Sequence, residues 1–244
     1  MIKTFPTIDQ LNEFAAGKFA EIADLSIKER GKFSVALSGG STPKALHQLL
    51  AGDKFKSVID WRNIFFFFGD ERNVAPDDEE SNFRMAKETL FEPLNITADK
   101  IFRWQTELRD AKAIVENYRL KLRNFFELKE ENFPRFDLIL LGMGDDGHTA
   151  SLFPNTEALK EFEKSAASNF VEKLSATRLT LTLPVINNAR NVMFLVKGAE
   201  KAETLKDILE GEFQPKKYPS QAVKLNDGEL LWLIDETSAA LLSR

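Results

Sequence analysis

The sequence predicts an α/β fold: a single doubly wound, mostly parallel sheet with helices on both faces, Rossmann-like, spanning residues 1–244 as one domain. Three observations carry this. Short apolar runs alternate along the chain with helical patterns. Two of the runs, Ile64–Phe68 and Leu138–Leu141, are apolar at every position and of strand length, and the first is continuous as expected for a strand buried on both faces. Gly-rich polar segments follow the runs directly, at the carboxyl strand ends where open parallel sheets bind ligands.

The elements read as follows. Thr7-Ile8-Asp9-Gln10 has the form of a capping box, and Leu11, Ala15, Phe19 and Ile22 then fall on one helical face. Phe33–Leu37 is a short strand running into Ser38-Gly39-Gly40-Ser41-Thr42-Pro43. Thr42 is the expected N-cap and Pro43 the first helical residue of a helix through Leu50 that stops near Gly52. Ile64–Phe68 is a second strand, ending at Gly69-Asp70-Glu71-Arg72, and Ser81 to Phe91 reads as helical. A longer helix is expected over Ala111–Leu128, with Val115, Tyr118, Leu122 and Phe125 on one stripe. Leu138–Leu141 is a third strand, ending in Gly142-Met143-Gly144-Asp145-Asp146-Gly147-His148. Leu179–Leu183 alternates apolar residues with Thr, which predicts a half-exposed strand. Val192–Val196 is another strand, then comes Gly198 and a helix from about Ala199 to Glu210. Leu230–Ile234 is the last strand, followed by a short terminal helix. Val74–Glu80, Gln214–Gln221 and Asn226–Gly228 are loops, none of them long enough for a domain linker, and no internal repeat or low-complexity tract interrupts the pattern.

Composition narrows the chemistry. A 43% hydrophobic content excludes a wholly disordered chain. The absence of cysteine excludes a disulfide scaffold, a thiol nucleophile and Cys-based zinc or iron–sulfur sites. With 33 basic and 38 acidic residues the net charge is -5, so the basic footprint of a nucleic-acid binder is missing, whereas a small anion can be held by a few local cations. The opening MIKTFPTIDQ lacks the apolar core of a signal peptide, and the longest apolar runs are far short of a membrane span. The expectation is a cytoplasmic protein with a small-molecule partner, and composition carries no signal for its oligomeric state.

Three strand-end segments hold the candidate chemistry. Ser38, Gly39, Gly40, Ser41 and Thr42 have the parts of a phosphate cradle: glycines that allow close backbone approach, two hydroxyls, and a helix N-terminus with free N–H groups. The segment is neither a Walker A loop nor a G-x-G-x-x-G loop, and an ordinary strand-to-helix turn is the alternative. Asp70-Glu71-Arg72 places charge at a strand tip, where Arg72 can bind an anion or a developing oxyanion; a solvated turn is the alternative. His148 is one of two histidines and follows a Gly-flanked acidic turn, which suits general-base work near neutral pH. Asp70, just behind Arg72, is the next candidate base. His47 falls inside the Pro43–Leu50 pattern and reads as a packed or surface residue. No metal site is expected, because no second His is placed to partner His148 and a His-Asp-Asp set from one tight turn is cramped. No G-x-S-x-G nucleophile elbow occurs.

Together these segments resemble the 6-phosphogluconolactonase family, within the wider glucosamine-6-phosphate isomerase/deaminase superfamily. The blocks that carry the resemblance are Ala36 to Pro43, Gly69-Asp70-Glu71-Arg72 with Ser81-Asn82, and Gly142 to Pro154, followed by Arg178-Leu179-Thr180-Leu181-Thr182-Leu183-Pro184 and Gly198-Ala199-Glu200-Lys201-Ala202. They occur in family order from residue 36 to 202. The resemblance implies hydrolysis of 6-phospho-D-glucono-1,5-lactone to 6-phosphogluconate, the second step of the pentose phosphate pathway, by a single doubly wound domain with no metal or organic cofactor. It implies that Ser38, Gly39, Gly40, Ser41, Thr42, Arg178 and Lys201 hold the 6-phosphate. It also implies that His148 activates water and that Arg72 neutralises charge near the reacting end. The chain departs from the family in one loop: Asp78-Glu79-Glu80-Ser81-Asn82-Phe83 stands where members often carry His-Pro-Asp-Ser-Asn-Tyr.

Two alternatives follow from the same residues. A glucosamine-6-phosphate isomerase/deaminase shares the S-G-G-S-T-P loop and the D-G-H turn. It continues Asp-Glu-Tyr after the second strand and Asn-Glu-Pro after the His, where this chain has Asp70-Glu71-Arg72 and Thr149-Ala150-Ser151. A non-catalytic sugar-phosphate sensor could keep the cradle while losing His148 or Arg72, and both are present.

Overall fold

The structure, a computed structural model, describes residues 1–129 and 132–243. Ten strands are described: β1 (Ile2–Phe5), β2 (Phe33–Leu37), β3 (Ile64–Phe68), β4 (Asp70–Arg72), β5 (Ile101–Phe102), β6 (Leu138–Leu141), β7 (Ala166–Val171), β8 (Ala176–Leu181), β9 (Asn191–Val196) and β10 (Glu229–Asp235). Seven form one sheet in the order β1-β10-β9-β6-β2-β3-β5, with every pairing parallel. The other three, β4-β8-β7, form a small antiparallel sheet that the sequence pattern did not reveal.

The continuous apolar runs behave as expected. Side chains alternate across a strand, so Phe66 and Phe67 face opposite sides of β3, and both are fully buried. Phe66 packs on Trp61 and Phe91, whereas Phe67 packs on Phe125, Phe126 and Phe136. Covering both faces in this way contributes roughly 1.5–3 kcal/mol for each buried phenylalanine. The chain moves from β2 to β3 and β5 on one side, while β6, β9 and β10 fill the other. The order therefore reverses between β2 and β6, which puts the segments after these two strands side by side at the usual ligand position.

Helix ends follow their capping chemistry. The helix Ile8–Arg30 is capped by Thr7, whose Oγ1 accepts from Gln10 N at 3.3 Å, and it closes on Gly31 at φ 74. The helix after β2 starts at Ser41, not after Thr42. Gly40, at φ 104, turns the chain one residue early, and Thr42 lies buried in the first turn instead of capping it. The segment 82–94 is helical but widens to a π-turn over Lys87–Phe91. The helix Ala111–Phe125 stops short of Leu128 because Glu127 takes φ 52 and Leu128 N donates back to Arg123 O. The expected half-exposed strand Leu179–Leu183 is instead β8, with Leu179, Thr180 and Leu181 all buried between neighbours. Ala199–Lys201 is a 3₁₀ turn that leads into the helix Ala202–Glu210. The expected terminal helix is a set of turns: the Asp235 carboxylate accepts from Ser238 N and Thr237 Oγ1, and Leu242 N donates to Ala239 O. Among the described residues no helix is long and apolar enough to cross a membrane.

Candidate active site

The turn after β6 is held at almost every carbonyl. Thr149 Oγ1 donates to Gly142 O at 2.9 Å, Gly147 N to Gly144 O at 3.0 Å, and Thr204 Oγ1 to Asp145 O at 2.6 Å. Lys201 Nζ donates to Met143 O, and Ser220 donates to Gly147 O through both its N–H (3.0 Å) and its hydroxyl (2.8 Å). Gly147 has φ 78, and a Cβ there would lie 2.8 Å from the Tyr218 ring. A turn tied down in this way presents its side chains in a fixed orientation.

His148 emerges from this turn with its Nδ1 2.6 Å from Asp146 Oδ1. An ionised carboxylate only accepts, so Nδ1 carries the proton and Nε2 is the basic nitrogen. The ring stacks on Phe153 at 4.0 Å between centroids. Gly144 leaves room for it on another side, since a Cβ there would sit 2.0 Å from Nδ1. Burial opposes ionisation of Asp146, yet the hydrogen bond and charge of His148, with Lys173 at 3.3 Å, outweigh it and hold the carboxyl well below the usual carboxylate range.

The small sheet supplies two of the cations. Arg72 and Arg178 are register partners across the β4–β8 ladder, which sets two guanidiniums side by side. Arg72 donates to Glu80 O. Arg178 is half-buried and, among the described residues, its guanidinium has no hydrogen bond or ion pair. Burial and the Arg72 charge draw its pKa down, although a guanidinium stays protonated at neutral pH. Two like charges so placed favour an anionic third party. Asp70 is buried, accepts from Ser151 Oγ at 2.9 Å, and faces the same space.

Asp70, Arg72, His148, Arg178 and Lys201 thus line one cavity of about 370 Å³, together with Asp146. Gly40 and Ser41 line an adjoining cavity of about 300 Å³ with Lys44, and Arg72 borders both. Ser38, Gly39 and Thr42 line neither. Ser38 Oγ is nonetheless buried with no hydrogen-bond partner, and Gly39 lets Asn82 pack against the loop, since a Cβ there would meet Asn82 Oδ1 at 1.9 Å. A larger cavity of about 1140 Å³, walled by Phe133, Phe162 and Phe213, holds none of the predicted residues. It lacks the clustered acid and imidazole groups of the smaller one, so volume alone does not mark the chemistry.

Glu71 turns away from the cavity. Its carboxylate accepts from Arg72 N, Asn82 N and Phe83 N and from Ser81 Oγ, stapling β4 to the next helix. Burial pushes it up to about 7 against the pull of those backbone donors. In the loop that departs from the family pattern, Phe83 packs edge-on against Phe68 and beneath Arg103. His47 is fully buried and neutral, lowered to about 4 by desolvation. Among the described residues no three His, Cys, Asp or Glu side chains gather as a metal site would need. Sequence reasoning missed Asp146 as the partner of His148, although an acid two residues before a turn histidine is a readable signal. It also missed Lys173, which no local pattern marks.

Residues 6–232 match the family described as glucosamine-6-phosphate isomerases/6-phosphogluconolactonase. A 6-phosphogluconolactonase of Synechocystis sp. is 42% identical over 86% of this chain and 85% of its own length. One of Nostoc sp. is 40% identical over 90% and 89%. The solved structure of the Trypanosoma brucei 6-phosphogluconolactonase superposes with a TM-score of 0.90 at 31% identity, covering 100% of this chain and 98% of that one.

Proposed function

Because this chain belongs to the glucosamine-6-phosphate isomerase/6-phosphogluconolactonase family, we propose that it hydrolyses 6-phospho-D-glucono-1,5-lactone to 6-phosphogluconate in the cytoplasm, with His148 as general base. The observation that carries the base assignment is the 2.6 Å contact between His148 Nδ1 and Asp146, which fixes the tautomer and leaves Nε2 able to accept a proton.

The steps follow from that geometry. Nε2 takes a proton from water as the water oxygen attacks the lactone carbonyl carbon. The oxyanion that develops lies in a cavity whose cations include Arg72. When the carbonyl re-forms, the bond to the ring oxygen breaks, and the imidazolium returns its proton to that oxygen as it becomes a hydroxyl. Asp146 holds the ring throughout and stabilises the imidazolium. A lactone is an activated ester, so no covalent intermediate is needed. A positioned base contributes about 10²–10⁴-fold, and holding water against the carbonyl adds more. Arg178, Lys201 and the Ser38–Thr42 loop anchor the 6-phosphate, so that binding energy from the unreactive end serves the reacting one. The unpaired Arg178 guanidinium in the cavity supports this anchoring role.

The test is acid release from freshly generated 6-phosphogluconolactone, with the spontaneous blank subtracted, at or below neutral pH. His148→Ala is expected to lower kcat by about 10²–10⁴-fold while 6-phosphogluconate affinity is retained. Full activity in a folded His148→Ala protein would overturn the mechanism.

A further inference from the structure

We propose that Phe153 is a positioning residue for this reaction: its ring plane holds the imidazole of His148 in the one orientation that points Nε2 at the bound water. The inference rests on reading His148 as the base. A single hydrogen bond from Nδ1 to Asp146 fixes one atom of the imidazole but leaves the ring free to pivot about that contact. The stack removes the pivot. The two rings lie 4.0 Å apart and 20° from parallel, so any rotation of the imidazole out of its plane drives it into Phe153. Phe153 is itself 7% exposed and therefore has no room to give way.

The backbone around Phe153 is built to deliver that plane. Ala150 and Asn155, on either side of it, hold φ 47 and φ 58, in the left-handed region that residues with a Cβ enter at a cost. Such strain persists only where surrounding contacts over-determine it, and those contacts are present. Asn169 Nδ2 donates to Ser151 O at 2.9 Å and to Thr156 Oγ1 at 3.0 Å. Ser151 N donates to Thr180 Oγ1 at 3.2 Å, and Ser151 Oγ donates to Asp70 Oδ2 at 2.9 Å. The segment that carries Phe153 is thus clamped to β4, β7 and β8, and through the stack the small sheet sets the angle of a base that grows from the large one.

The experiment compares Phe153→Leu and Phe153→Met, which keep apolar volume but lose the flat face, with Phe153→Tyr, which keeps it. Each is assayed for kcat and KM on the lactone and for 6-phosphogluconate affinity, beside His148→Ala and the Phe153→Leu/His148→Ala double variant. The expected result is a fall of about tenfold in kcat for Leu and Met, with KM and product affinity within twofold, near-complete recovery in Tyr, and no added loss in the double variant. Wild-type kcat in either the Leu or the Met variant overturns the proposal, as does an equal loss in Tyr or a loss confined to KM. Should Phe153→Leu fail to fold, the Met and Tyr pair decides the question alone. If His148→Ala is itself fully active, it is the base assignment that falls; if His148→Ala is inactive while the Phe153 variants match wild type, the positioning role alone falls.

Discussion

Gly144→Ala adds one methyl group to the wall of the cavity, and the structure says where it goes. The new Cβ would stand 2.0 Å from His148 Nδ1, 2.1 Å from Cε1 and 2.9 Å from Cγ. Ordinary contact begins at 3.4 Å, so the imidazole must retreat by roughly 1.4 Å. It cannot retreat far onto Phe153, which already lies at stacking distance, and it cannot move that much while keeping its 2.6 Å contact with Asp146. The backbone is not the obstacle, because Gly144 is not among the glycines at positive φ. A misplacement of about 1 Å at a reacting group costs on the order of 10²-fold, so kcat is expected to fall by about that factor. The proposed phosphate anchor Arg178 is on another sheet, and 6-phosphogluconate affinity is expected to stay within threefold. The assay is blank-corrected acid release near neutral pH, with calorimetric titration of 6-phosphogluconate and a thermal melt as controls. Wild-type kcat in a folded Gly144→Ala protein would refute the reasoning, because it would mean that the position of the ring has no bearing on the rate.

Two further outcomes are expected. Arg178→Ala weakens 6-phosphogluconate binding by tenfold or more with kcat little changed, whereas Lys201→Ala lowers both, because its ammonium also donates to the Met143 carbonyl of the turn; calorimetric titration of both variants checks this, and unchanged affinity in both removes them from the site. His47 is neutral in the fold, so the unfolded chain takes up the proton first and stability falls as pH drops from 6.5 towards about 4, by roughly 3 kcal/mol in all. Urea melts of wild type and His47→Leu across that window are the check, and parallel pH slopes in the two would contradict it.

The parts of the molecule that could be read from residues alone share a physical cause. β3 and β6 are covered on both faces, so every position is apolar and the run itself is the signal; β2 carries the same signal with Ser34 as its one polar position. His148 stood out because only one histidine follows a strand-end turn. β4 gave no such signal: Asp-Glu-Arg reads as a solvated tip, and it is a strand through its pairing with the distant β8, with Glu71 tied to the helix ten residues on and Asp70 to Ser151. β7, Ala-Ala-Ser-Asn-Phe-Val, lacks a clean alternation because Asn169 turns inward to clamp the Ser151 backbone while Phe170 turns out. The cavity itself depends on the register that puts Arg72 opposite Arg178, and register between strands more than 100 residues apart has no local trace. Thr42 was misplaced because the left-handed φ of Gly40, not a side-chain cap, begins the helix.

The division of labour between the two sheets bears on how such a protein can change its diet. The imidazole and its carboxylate grow from the end of β6 in the large parallel sheet, whereas the paired guanidiniums sit on a three-stranded ladder whose β7 and β8 contribute nothing to that sheet. On the proposed roles, the base and one phosphate anchor, Arg178, are therefore written on separate pieces of the chain, although Lys201 and the Ser38–Thr42 loop stay with the large sheet and Arg72 with the small one. A duplicated gene can redraw that part of the address by point changes on β8, while inheriting the His148–Asp146 pair. The same partition gives an engineer a short segment, Ala166 to Leu181, in which to seek esters other than phosphorylated sugar lactones, with only the Asn169 and Thr180 clamps to be preserved.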